Sequence, residues 1–194
     1  MKDKLSTPDF ILGIRDDVIE ARHYFEVYRT YMLKENREKY SEILLVFGQF
    51  FACDLRAHFA ATMVTLGRVF DQNPRSFGIP ALLQRAPKLK QVASDKFDRA
   101  QELWNGRKIM LIRHQVVAHR SPSATVEEIF TKVSTSLNEL DELIKSLDEM
   151  IDAWARAAKC HSHNLSSVKP DLEHLLNMLL RSRDDRRIAS QRTG

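Results

Sequence analysis

Cysteine is nearly absent from this chain of 194 residues: Cys53 and Cys160 are the only two. Two thiols leave no disulfide framework to expect, and a reduced compartment is the simplest setting. Glycine and proline are also scarce, at six each, and no glycine-rich phosphate loop stands in the sequence. No apolar run approaches the roughly 20 residues that span a bilayer. No stretch alternates as a half-buried strand does, and there is neither an internal repeat nor a helix-turn-helix pattern. Met1-Lys2-Asp3-Lys4 leads straight into a capped amphipathic segment rather than a secretory leader. The expected location is the cytoplasm, with no membrane partner.

What remains is helix-forming. Ala, Leu, Glu, Lys and Arg dominate the composition. Thirty basic against 26 acidic side chains give a net charge of +4, which tolerates an anionic partner such as nucleic acid without requiring one.

Ser6-Thr7-Pro8-Asp9 reads as a helix start. Phe10, Ile14, Val18, Ala21, Phe25, Tyr28 and Met32 then recur at three and four, so a first helix runs to about Leu33. A second spans about Tyr40 to Phe70. It is apolar on most sides between Ile43 and Ala52, which predicts burial on most sides, in a bundle centre or a subunit interface. Cys53 reads there as a small core residue. After Asp71-Gln72-Asn73-Pro74 come a short helix over 81–86 and a longer one over 89–104, which Asn105-Gly106 ends. A further helix over 107–119 stops at Ser121-Pro122. Thr125 with Glu128 forms a capping box opening a long helix to about Ala158. The apolar stripe of that helix includes Val133, Leu140 and Ile151, and its other face is acidic. A linker, a short helix over 170–180 and an arginine-rich tail close the chain. The expected architecture is all-α, an antiparallel helical bundle of long helices. One domain covers 1–194, with a flexible basic tail over 181–194.

The densest chemistry is Leu111-Ile112-Arg113-His114-Gln115-Val116-Val117-Ala118-His119. Metal-free RNA cleavage needs a group to move the 2′-hydroxyl proton and a cation for the pentacoordinate phosphate. Histidine titrates near neutrality, and arginine matches phosphate geometry in two-point contact. On one straight helix Arg113 and His119 stand about 120° apart. They converge if the helix ends or bends near His119, or if two copies meet across a two-fold axis. A surface ion-pair arginine and a helix-capping histidine are the plainer alternative.

Arg113, the polar His114 after it, and His119 together resemble the Arg…His motif of the HEPN superfamily. Leu66-Gly67-Arg68-Val69-Phe70-Asp71, followed by Ser76 and Ala81-Leu82-Leu83, is similar to a stretch of its abortive-infection, AbiU-like branch. The resemblance implies a metal-independent endoribonuclease of a phage-defence or toxin–antitoxin system. It also implies a homodimer with its cleft at the subunit junction, and no cofactor. By this resemblance Arg113 and His119 are the catalytic pair and His114 assists. RNA is the substrate, with a cognate antitoxin protein as a possible partner. Some members of the superfamily carry a modified tyrosine two positions after the histidine; here Ser121 stands there. Others bind RNA or a partner protein without cleaving, and a non-catalytic helical dimer is the alternative function.

Three further clusters hold polar chemistry. Asp54, Arg56 and His58 lie on the second helix, where Asp54 and His58 share a face. They read either as a cleft lining or as a satisfied polar group. Cys160, His161, His163 and His174 are ligand types for zinc, but no paired CxxC or HxxxH accompanies them, and no metal is expected. Arg181, Arg183, Arg186, Arg187 and Arg192 suit an RNA backbone or a solvated terminus.

Overall fold

The computed structural model describes residues 6–106, 109, 136–160 and 167–192, the side chains of the last helix as far as Asp184. Every regular element among them is helical. In chain order these are α1 (Thr7–Met32), α2 (Lys34–Lys39), α3 (Ser41–Val46), α4 (Gly48–Val69), α5 (Ile79–Arg85), α6 (Leu89–Val92) and α7 (Ser94–Gln101). A π-helical turn (Glu102–Gly106), α8 (Leu137–Ala157) and α9 (Lys169–Arg192) follow. The expected all-α class is therefore the observed one. No helix of the described residues is long and apolar enough to cross a membrane.

The chain divides into two compact units. The first holds residues 1–22 and 60–165, the second 23–59 and 166–194.

Unit 1 is built on α8. Its apolar stripe, with Leu143, Leu147, Met150 and Trp154 fully buried, packs against α6, α7 and the π turn. Trp154 also donates its indole N–H to the Leu89 carbonyl at 2.7 Å, so a large apolar ring is buried with its one polar atom paired. The acidic face of α8 is partnered. Asp148 meets Arg22 at 3.0 Å, Asp152 meets Arg15 at 3.3 Å, and Glu142 accepts a two-point contact from Arg99 at 2.7 and 2.9 Å. Burial pushes the Asp148 carboxyl up despite Arg22, while the Arg99 contact pulls exposed Glu142 down.

Two helix boundaries in unit 1 bear on the sequence reading. The helix expected over Thr125 to Ala158 has its described part only from Leu137, residues 125–135 lying outside the described ones, and Ser136 before it has an extended backbone. The Ser136 hydroxyl accepts from the Glu139 N–H while the Glu139 side chain accepts from the Ser136 N–H, a complete capping box that starts α8. The helix expected over 89–104 is broken. Ala93 leaves helical geometry between α6 and α7, and the last turn widens into the π turn.

Unit 2 contains a buried cluster of Tyr31, Tyr40, Ile43, Phe51 and Leu176, with Leu172, Leu179 and Leu180 against it. The Tyr40 hydroxyl donates to Asn177 at 3.3 Å. Glu26 accepts from the Ser167 hydroxyl and the Val168 N–H at 2.8 and 2.9 Å, so a carboxylate sits at the start of α9. α9 runs past the expected end at Leu180 to Arg192, and Arg183 forms an ion pair with Glu42.

The apolar second helix also differs from expectation. Phe47 ends α3 with non-helical backbone before α4 begins. Leu45, Val46, Phe47 and Phe50 are exposed rather than buried, and so is Cys53. In a run where nearly every residue is apolar, only those facing Tyr31, Tyr40 and Leu176 find cover. Apolar content on all sides did not mean burial on all sides.

Candidate functional site

The approach to the Arg…His motif is held from both sides in unit 1. Leu66, Val69 and Phe70 close α4 as buried residues. Arg68, on the polar side of the same turn, reaches Asp17 at 2.7 Å and Glu20 at 2.5 Å. Burial raises the Asp17 carboxyl, and Arg68 opposes that rise. The chain then turns through side-chain-to-backbone bonds. Asp71 accepts from the Asn73 N–H at 3.0 Å, Asn73 from the Arg75 N–H at 3.0 Å, and the Ser76 hydroxyl donates to the Asn73 carbonyl at 2.7 Å. Gly78 passes so close that a Cβ there would lie 2.6 Å from the Asp71 carbonyl oxygen. Only glycine fits. Ala81 and Leu82 then return to the core.

Across from this turn, the π turn presents Leu103 and Trp104, both buried. Trp104 stacks on Phe70 with centroids 4.6 Å apart and planes 8° from parallel. Ile109 is helical and fully buried. It stands four positions before Arg113. The Leu66–Leu83 stretch is thus in direct contact with the segment that leads into the motif. Arg113, His114 and His119 themselves lie outside the described residues, as do Ser121, Thr125, His161 and His163.

A family comparison adds to this geometry. The AbiU2 family model of HEPN proteins matches residues 10–179. The chain belongs to that family. The match contains both segments joined by the Phe70–Trp104 stack, as well as the Arg113–His119 motif. No curated protein and no solved structure matches the chain. This is an abortive-infection protein of HEPN type.

In unit 2, two of the three polar residues noted on the second helix come together. Asp54 Oδ2 accepts from the Tyr31 hydroxyl at 2.9 Å. His58 Nδ1 lies 3.0 Å from the Asp54 carbonyl and 3.3 Å from its Oδ1. Both neighbours are acceptors, which places a proton on Nδ1. Tyr24 meets the His58 ring edge-on at 5.9 Å. Burial first, then the Asp54 carboxylate, pushes the Tyr31 phenol well above its ordinary range, so it donates at any physiological pH. Tyr31 was not among the residues singled out in the sequence. Its position beside Met32 on α1 is the signal that placed it at the edge of the apolar stripe. Arg56 stays apart, exposed, with its Nε donating to the Ala52 carbonyl at 3.1 Å.

Cys160 follows α8, half-buried, and burial raises its thiol. Among the described residues, no three His, Cys, Asp or Glu side chains stand close enough to hold a metal. His174 is exposed on α9.

Proposed function

We propose that this protein is a metal-independent endoribonuclease, acting in the cytoplasm in phage defence or as the toxin of a toxin–antitoxin pair. RNA lies in a cleft formed by two copies of the chain. Arg113 holds the scissile phosphate and stabilises the charge that builds on it in the transition state. His119 takes the 2′-hydroxyl proton, and His114 orients the pair. The 2′-oxygen attacks phosphorus, the P–O5′ bond breaks and the 5′-oxygen leaves with the proton that His119 took up, giving a 2′,3′-cyclic phosphate and a 5′-hydroxyl. A cognate antitoxin restrains the activity until infection.

The observation that carries this reading is the family match over residues 10–179, which includes Arg113 and His119. The buried approach through Phe70, Trp104 and Ile109 adds a rigid support for a catalytic segment. The test is cleavage of RNA by purified protein in excess chelator. Wild type cuts, and Arg113→Ala and His119→Ala do not. Cleavage that is equal in wild type and His119→Ala ends the reading.

A second reading, a non-catalytic dimer that binds RNA or a protein, draws on the exposed apolar residues of α3 and α4. It predicts no growth arrest on overexpression and binding that survives His119→Ala.

A further inference from the structure

The stretch of unit 1 from Gln72 to Ser94 holds Arg75, Arg85, Lys88 and Lys90 and no acidic residue. Its charge of +4 equals the net charge of the whole chain, so the rest of the sequence is balanced. All four cations are exposed, and among the described residues none has a carboxylate partner. The other arginines described in this unit do have one: Arg15, Arg22, Arg68 and Arg99 each meet an acid. Unpaired charge is thus gathered in one segment rather than scattered.

The same segment carries the one exposed aromatic side chain of unit 1 among the described residues, Phe77, 40% exposed. Its ring is fixed on two sides. A Cβ at Gly13 would lie 2.6 Å from it, so the ring rests on bare α1 backbone. Its centroid is 4.9 Å from that of buried Phe10. The Arg85 guanidinium stands over the same Phe10 ring, 4.6 Å from its centroid. An exposed ring and an exposed cation therefore share one buried anchor. Asp9, next to Phe10 in sequence, has its carboxylate taken by the Ser6 hydroxyl and N–H at 2.6 and 3.1 Å. Arg75 stands two residues before Phe77, in the turn that the Asp71, Asn73 and Ser76 bonds hold. Buried Leu89 fixes Lys88 and Lys90 on its two sides, since its carbonyl accepts from Trp154.

We infer that this segment is a binding track for single-stranded RNA, separate from Arg113–His119. Phe77 stacks an unpaired base, and Arg75, Arg85 and Lys88 neutralise phosphates beside it. This rests on the reading of RNA as the partner and names side chains that hold the strand outside the reacting phosphate. The combination is what single strands need. Phosphates require cations with no competing carboxylate, and a base outside a duplex requires an aromatic face. Ring and cations sit on a braced turn and short packed helices, so little order is lost when RNA settles on them. The turn also follows directly on Phe70, whose stack on Trp104 lies at the approach to Arg113. A strand held here is held by the same packed unit that supports the motif.

The test is fluorescence anisotropy of a labelled oligouridine of about 16 nucleotides. The parent is the full chain carrying His119→Ala, so that nothing is cut, and circular dichroism controls for folding. Phe77→Ala weakens binding roughly tenfold, and Phe77→Trp restores it. Arg75→Gln, Arg85→Gln and Lys88→Gln together lower the slope of log affinity against log salt by about two. Phe77→Ala leaves that slope unchanged and does not alter binding of duplex RNA, whose bases are already stacked. If Phe77→Ala folds poorly, the triple variant carries the test, because its changes are all at exposed side chains. A parent that does not bind, or variants that bind as the parent does with an undiminished slope, overturn the track. A Phe77→Ala loss that is equal on duplex RNA overturns the stacking role. Cleavage is scored separately with the wild type. RNA cut by the wild type, beside variants that bind as the parent does, removes the track and leaves the endoribonuclease reading standing. Variants that lose binding, beside a wild type that cuts nothing, keep the track and end that reading.

Discussion

The two units spend similar residues differently. Unit 1 buries its aliphatic and aromatic side chains around α8 and pairs the acidic face of that helix with Arg15, Arg22, Lys96 and Arg99. Unit 2 holds about a third of the chain. Yet six of the nine large hydrophobic residues exposed among the described residues belong to it: Leu45, Val46, Phe47, Phe50, Leu175 and Met178. One cluster of its core is five buried residues and their neighbours. Hydrophobic content is thus a poor guide to stability here. What counts is whether an opposing surface exists, and in unit 2 the opposing surface is short. The contrast predicts a hierarchy of local opening. Backbone amides of unit 1 exchange with solvent only through costly openings, and those of α3 and the start of α4 through cheaper ones.

The largest effect comes from Trp154→Ala. It removes a fully buried indole and leaves the Leu89 carbonyl without its donor. A loss of roughly 3–5 kcal/mol in urea unfolding is expected. Leu176→Ala, the matching change in unit 2, costs roughly 2–3 kcal/mol and speeds amide exchange in unit 2 alone. If Leu176→Ala destabilises as much as Trp154→Ala, or speeds exchange in both units equally, the contrast between them fails. Ser136→Ala sharpens the contrast from within unit 1, because α8 then starts without its hydroxyl cap; about 1 kcal/mol is lost, read as a lower midpoint in thermal unfolding.

The smallest effect is the pH dependence of the Arg99–Glu142 contact. The contact depresses the Glu142 carboxyl, so its stabilisation is present above the ordinary glutamate range and disappears as pH falls through the folded value. Glu142→Gln is therefore slightly less stable than wild type at pH 7, and the two converge as pH falls below the depressed Glu142 value. Asp148 has the opposite sign. Burial raises it, so its charge weighs against the native state at neutral pH, and protonation relieves that cost. A Glu142→Gln gap that widens in acid contradicts the assignment.

Much of the fold was legible because it is written in local periodicity. The first helix was expected from the Ser6–Asp9 start to about Leu33 and runs Thr7–Met32. Ser6 and Asp9 bond each other there as a cap does. The end of α4 before Asp71 and the short helix near 81–86 follow from turn residues in the same way. The errors share a cause, which is that tertiary partners do not appear in a local pattern. Ser136, which caps α8, was not singled out, although it carries as good a capping signal as Thr125. Phe47 and Phe50 look like core until Tyr31, Tyr40 and Leu176 are seen to occupy the only covered side. The pairing of Asp54 with His58 was readable from a spacing of four. Tyr31, 23 positions earlier, reaches Asp54 only through the packing of α1 beside α4. Arg113 and His119 were legible as a motif, and the order of the two segments pointed to the family that the match over 10–179 bears out.

The two thiols have a practical consequence. Cys160 is half-buried, and burial holds its thiol back from ionising, whereas Cys53 is exposed on the face that carries Phe50. Shielding sulfur from water disfavours the reactive thiolate. A maleimide dye or nitroxide added briefly near neutral pH therefore lands first on Cys53. The unmutated chain comes with its own attachment point on α4, where fluorescence or spin–spin distances register whatever settles against that helix.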